Sequence, residues 1–118
     1  EMIKNALLEF GVKREEFEII PFPVSRPELL TQYAPENAVY YMSICGEWDR
    51  EKYRILKEHG LDVELLWERS EEERGITATQ LREMIAESGD WKQYVPKAAA
   101  EYIETHGIDE RIRKLYYA

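Results

Sequence analysis

Apolar residues recur at helical spacing from the start of the chain. Ile3, Ala6, Leu7 and Phe10 share one face of a helix expected from Glu1 to Phe10, and Gly11 ends it. No capping residue precedes that helix, so the pattern is expected to begin inside it, with an N-terminal part missing. Phe17 to Val24 is apolar and β-branched and reads as a first strand; Pro21 and Pro23 push its second half to a sheet edge. Glu28 to Tyr33 allows one turn of helix. Val39 to Cys45 reads as a buried strand broken by Gly46. Trp48 to His59 is a helix closed by Gly60. Leu61 to Trp67 reads as a further strand, alternating through Val63, Leu65 and Trp67. Thr77 to Ser88 is a helix ended by Gly89. A short turn follows through Trp91 and Tyr94. Pro96 suits the first turn of a helix to His106, and Asp109 to Tyr117 forms the last helix.

Strands alternating with helices across short loops predict βα units and a parallel sheet, an α/β class. Residues 1–89 are expected to hold the βα units and residues 90–118 a helical extension of the same domain. Ligands of such sheets bind at the carboxyl ends of the strands. Those ends are Val24, Cys45 with Gly46, and the charged loop from Glu68 to Thr77, which are expected to converge on one cleft.

Composition narrows the function classes. The 118 residues carry 16 basic and 24 acidic side chains, a net charge of −8. That balance argues against a general binder of nucleic acid or anionic membrane. A single cysteine, Cys45, excludes an internal disulfide framework and points to a reducing cytoplasm. Cys45 ends an apolar run and reads as a buried small residue rather than a nucleophile. No stretch is long or apolar enough for a membrane span, and no signal peptide is visible.

The run Gly75-Ile76-Thr77-Ala78-Thr79-Gln80-Leu81-Arg82 is the densest candidate chemistry. Thr77 followed by Gln80 fits a capping box, with Leu81, Met84 and Ile85 continuing at helical spacing. Such a start presents backbone N–H groups with partial positive charge. Thr77 and Thr79 add hydroxyls, and Arg82 lies one turn on, with Arg69 and Arg74 just upstream. Cations at a helix N-terminus have the wrong sign for its dipole, and a bound phosphate would reconcile them. The competing reading is an ordinary cap, with Glu71, Glu72 and Glu73 neutralising the arginines in a solvated loop.

Other candidates are sparser. Trp48 follows the strand-ending Gly46 and is either a stacking surface for a base or pyridine ring, or an anchor packed on the sheet. Asp49 reads as a solvated first-turn acid. Arg26 lies in the exit loop after Pro23, where it could meet a phosphate. His59 and His106 sit at helix ends beside glycines, which suits the helix dipole better than catalysis. No metal-ligand spacing and no glycine-rich phosphate loop occurs.

Together these residues resemble nucleotidyltransferases of the nicotinamide-mononucleotide adenylyltransferase type, in the His-x-Gly-His superfamily. Ile76-Thr77-Ala78-Thr79-Gln80-Leu81-Arg82 matches that family's Ile-Ser-x-Thr-x-x-Arg motif, with Thr77 in the serine place. Gly89-Asp90-Trp91 and Val95-Pro96-Lys97-Ala98-Ala99 match its continuation, Met2-Ile3-Lys4-Asn5-Ala6-Leu7 its preceding helix, and Ile20-Pro21-Phe22-Pro23 its next strand exit. The resemblance implies a Rossmann-like sheet with helices on both faces, lacking its first βα unit or units, plus the C-terminal helical segment. It implies adenylyl transfer from ATP to nicotinamide or nicotinate mononucleotide, with Mg²⁺, in NAD biosynthesis. Ile76, Thr77, Thr79 and Arg82 would bind the ATP phosphates, with Arg82 catalytic; Trp48 and Arg26 would contact the acceptor. The family's His-x-Gly-His motif does not occur here, so the fragment alone is expected to be inactive. Val24, and Gly46-Glu47-Trp48, depart from the family's acceptor positions. A cytidylyltransferase or another adenylyltransferase of the superfamily, and a non-catalytic nucleotide- or partner-binding module, are the alternatives. An open sheet edge would favour association with a second copy or with the missing N-terminal segment.

Overall fold

The computed structural model describes all 118 residues. The chain is α/β, with six α-helices and a parallel sheet. In order they are α1 (Met2–Glu9), α2 (Leu30–Tyr33), β1 (Val39–Ile44), α3 (Glu47–Glu58), β2 (Asp62–Glu68), α4 (Ala78–Ala86), α5 (Lys97–Thr105) and α6 (Ile108–Tyr116). Two compact units result. One is Glu1–Ile19 with Ile76–Ala118; the other is Ile20–Gly75.

The unit Ile20–Gly75 contains the sheet. β1 and β2 pair in parallel, Val39 opposite Asp62 and Met42 opposite Leu65, with a register shift before Ile44 meets Glu68. Joined through α3, they form the expected β–α–β unit. Leu30, Leu56, Leu61 and Val63 make the core, with Tyr40, Met42, Tyr53 and Ile55 packed around it. Alternation holds at Val63, which is buried, but Leu65 and Trp67 remain exposed. The register shift falls in that half of β2, between the Met42–Leu65 and Ile44–Glu68 pairs.

Residues 17–24 are not a strand, contrary to the sequence reading. Pro21 and Pro23 remove two ladder donors. The segment instead turns on itself, the Val24 N–H donating to the Phe22 carbonyl (2.9 Å) and the Arg26 N–H to that of Pro23 (3.0 Å). Phe22 is held by its ring, stacked 5.8 Å from Tyr40. The sheet therefore has two strands here rather than three.

The second unit is helical. Ile85, Trp91, Ala100 and Ile103 are buried together, with Leu81, Met84, Val95, Ile108 and Ile112 against them. α4, α5 and α6 thus share one core, and Trp91 fills it from the turn after α4. α1 lies on α5, where Glu9 accepts the Ala98 N–H (2.8 Å). Pro96 caps α5 without a side-chain hydrogen bond, so Glu9 satisfies a donor that the local sequence leaves open. α5 is the main cover of α1, and Ile3 and Phe10, placed on its apolar face, stay exposed.

Candidate functional site

The start of α4 is built as its sequence predicts. Thr77 is extended (φ −88°, ψ 162°) and caps the helix. Its hydroxyl oxygen accepts the Gln80 N–H (3.1 Å), and the Gln80 side chain accepts the Thr77 N–H (2.9 Å). Ile76 and Leu81 hold the positions of a hydrophobic staple around this cap, and both are half-buried. The box uses two of the early donors. The N–H groups of Ala78 and Thr79 remain as open donors of the first turn. The Thr77 hydroxyl spends a lone pair on Gln80 and keeps its O–H to donate.

Thr79 is exposed, and Arg82 donates to its hydroxyl across 3.4 Å. Arg82 is exposed too and is held by no carboxylate within salt-bridge distance. The end of α4 that bears two hydroxyls and two open N–H groups therefore also carries an unneutralised guanidinium. Sequence reasoning missed Tyr116, on the last turn of α6. Its phenol is pushed above its ordinary value by burial and by the nearby Glu83 carboxylate, while Arg82 pulls the other way. Only the packing of α6 on α4 brings it there.

In the other unit, two of the three expected strand ends meet. The Arg69 N–H donates to the Ile44 carbonyl (2.9 Å), and the Cys45 thiol to the Ser70 carbonyl (3.1 Å). Cys45 is buried, as expected. Asp49 is not the solvated acid that its position suggested. It is partly buried, accepts the Cys45 N–H (2.8 Å), and pairs with Lys52 (2.9 Å) and Arg74 (3.6 Å). Burial works to raise its pKa. The hydrogen bonds from Lys52 and the Cys45 amide, with the charges of Lys52 and Arg74, outweigh that and hold it below the usual value.

That direction fixes a pH dependence. A carboxylate with a lowered folded-state pKa stabilises the fold fully above its unfolded value, about 3.9. The contribution is lost as pH falls from there through the folded-state value. In denaturant titrations, the protein should exceed its Asp49→Asn variant by a constant margin above about pH 5, and the margin should close below about pH 4. A margin independent of pH would contradict this role.

Gly46, Glu47, Trp48 and Arg50 face Arg69, Ser70, Glu71 and Glu72 across a cleft of about 680 Å³. Trp48 is 57% exposed there, so the anchor reading is overturned and its ring is open for stacking. The cations of the cleft are engaged. Arg50 pairs with Glu68 (3.2 Å), and Arg69 lies over the Trp67 ring at 4.5 Å. Arg26 does not line this cleft and is paired with Glu28 (2.5 Å). The segment that ends at Val24 borders a separate small pocket through Phe22 and Val24. His59 and His106 end their helices as expected, each ring nitrogen Nδ1 directed at the carbonyl four residues back. No group of three or more His, Cys, Asp or Glu side chains is placed to hold a metal ion, and no helix is long and apolar enough to cross a membrane.

Two characterised proteins match the chain. It is 38% identical over 112 residues to a phosphonoformate cytidylyltransferase of Streptomyces viridochromogenes, covering 95% of this chain and 60% of that protein. It is 28% identical over 116 residues to a nicotinamide-nucleotide adenylyltransferase of Saccharolobus solfataricus, covering 98% and 66%. The chain thus spans less than two thirds of either relative. No family model and no solved structure matches it.

Proposed function

We propose that this chain, a homologue of nucleotidyltransferases, contributes a triphosphate-binding helix start to nucleotidyl transfer. In that reaction an acceptor's phosphate or phosphonate oxygen bonds to the α-phosphorus of a nucleoside triphosphate. The bond from that phosphorus to the α–β bridging oxygen breaks, and pyrophosphate leaves with the electron pair. The supporting observation is the N-terminus of α4, with two open N–H groups, the Thr77 and Thr79 hydroxyls and Arg82 at one place.

The residues divide the work by chemistry. The Ala78 and Thr79 amides and the two hydroxyls bind phosphate oxygens, as helix N-termini do. Ile76 seats the cap. Arg82 opposes the charge that gathers on the departing pyrophosphate, the type of stabilisation on which such transfers chiefly depend. Trp48 offers a flat surface to the acceptor or base, and Arg26 would need to leave Glu28 to contribute. Magnesium would reach the site on the triphosphate's own oxygens, since the chain gathers no ligand set for it, and would supply charge neutralisation there.

The relatives bear on the donor. The higher identity, 38% against 28%, favours CTP and a small phosphonate acceptor, in place of the ATP and mononucleotide that the sequence motif first suggested. ATP with nicotinamide mononucleotide, a step of NAD synthesis, is the second reading, favoured by the other relative. Pyrophosphate release by the whole natural protein, given CTP or ATP with phosphonoformate or nicotinamide mononucleotide, separates them. Acceptor-dependent release from CTP is expected. Release from ATP with nicotinamide mononucleotide alone would establish the second reading, and release from no pair would contradict both.

A further inference from the structure

We infer that the cleft at the ends of β1 and β2 takes a nucleobase with an exocyclic amine, with Trp48 as its stacking surface and Glu71 as the residue that selects the amine. This rests on the nucleotidyl-transfer reading with CTP as donor, and every residue involved belongs to the unit Ile20–Gly75. The sign of the charge in the cleft argues against phosphate there. Arg50 is bound to Glu68, and Arg69 lies on the Trp67 ring. Glu47, Glu71 and Glu72 face the same space, and none of them has a cation within salt-bridge distance. An anion entering here would meet carboxylates that no ion pair neutralises. A flat ring that donates N–H suits the cleft instead. The exposed Trp48 indole accepts the face of such a ring, and a cleft of about 680 Å³ is large enough for a nucleoside.

Among the three acids, Glu71 has the most closely fixed place. Its carboxylate lies over the backbone of Gly46, where a Cβ would stand 2.6 Å from Oε1. Gly46 also has φ +113°, a backbone that side chains rarely adopt, so the space held by the carboxylate depends on glycine twice over. The chain is tied on both sides of Glu71. Before it, the Arg69 N–H donates to the Ile44 carbonyl, and the Cys45 thiol to the Ser70 carbonyl. After it, the Arg74 guanidinium donates to the Cys45 carbonyl and pairs with Asp49 at 3.6 Å. These partners all lie from Ile44 to Asp49, the stretch that also carries Trp48. The acid and the ring are thus anchored to one short segment of the same unit, and little ordering is left for a ligand to impose.

An ionised carboxylate only accepts hydrogen bonds, and that gives it a preference among bases. It takes one from the N4 amine of cytosine. Uracil carries a carbonyl oxygen at the same corner, so two acceptors would face each other without a proton between them. Hydrogen bonds to a charged group are stronger than neutral ones, and a donor lost from such a pair leaves the acid unsatisfied. The selection therefore falls on the amine, whatever sugar or phosphate the base carries.

Cytidine and uridine test this without any phosphate, so anion binding elsewhere does not enter. Each is titrated by calorimetry into the whole natural protein and into its Trp48→Ala and Glu71→Gln variants, with melting temperatures to show that the variants are folded. Cytidine should bind the parent about tenfold or more tighter than uridine. Trp48→Ala should weaken cytidine by about tenfold, the loss expected for one stacking surface. Glu71→Gln, whose amide both donates and accepts, should weaken cytidine, strengthen uridine and close most of the gap. Equal binding of the two nucleosides by the parent, or binding of neither, would overturn the inference without any variant. A cytidine-to-uridine ratio unchanged in folded Glu71→Gln would overturn the role of Glu71. Pyrophosphate release is measured beside the titrations. Release without a cytidine preference would remove the inference and leave the reaction, whereas a cytidine preference without release from any triphosphate would leave the cleft selective and remove the reaction.

Discussion

Replacing Arg82 with alanine should lower nucleotidyl turnover by about 10²–10³-fold while leaving the fold intact. The magnitude is that of removing one preorganised donor aimed at charge that develops in a transition state. Structural cost should be small, because the side chain is exposed, meets no carboxylate, and holds one long contact to Thr79 at 3.4 Å. Exposed changes of this kind stay within about 0.5 kcal/mol. Steady-state pyrophosphate release, read beside thermal melting, checks both halves. Near-normal kcat in a normally folded variant would remove Arg82 from the reaction. Equal loss of activity and melting temperature would make its role structural.

Trp91→Ala should be the most damaging single change to stability, at about 3–5 kcal/mol, the range for emptying an aromatic site in a core. Trp91 is 4% exposed and meets Ile85, Ala100 and Ile103, which come from α4 and α5. Its backbone is fixed in the turn after α4, the Trp91 N–H donating to the Gly89 carbonyl (3.0 Å). The cavity would therefore open under the helix that bears the candidate phosphate site. Domains have only about 5–15 kcal/mol in total, so the helical unit would lose much of its margin. Urea denaturation followed by far-ultraviolet circular dichroism gives the number. A loss under about 1 kcal/mol would mean that Trp91 is not the centre of this core.

What the sequence allowed one to read followed the range of the interactions involved. The cap of α4 was legible to the residue, because a capping box closes within four positions and answers to local chemistry. The helices were legible from period, with ends displaced by one or two residues. Residues 17–24 misled because β-branched and aromatic composition records a preference for a pleated, half-buried surface; Phe22 meets that preference by stacking on Tyr40, with the segment pairing to no strand. Asp49 and Trp48 were both misjudged in exposure, in opposite directions. Period places a helical face, yet it does not reveal that a loop some twenty-five residues later will fold over one residue and leave the next open. Arg74 was visible only as one cation among several; its contact with Cys45 spans 29 positions and exists only in the folded unit.

The resemblance carried the class further than the substrate. Homology to two nucleotidyltransferases agrees with the motif at Ile76 to Arg82, whereas their different names leave donor and acceptor to experiment. Phosphate-binding geometry is shared by any triphosphate, so the α4 terminus holds no information about the base.

The most direct test is to follow the fate of the three phosphorus atoms by ³¹P nuclear magnetic resonance, with the natural protein, Mg²⁺, CTP or ATP, and the acceptor. The account predicts that the α-phosphorus appears in a new product joined to the acceptor, and that the β and γ atoms leave together as pyrophosphate. Release of orthophosphate from the γ position, with the nucleoside diphosphate left behind, would contradict it.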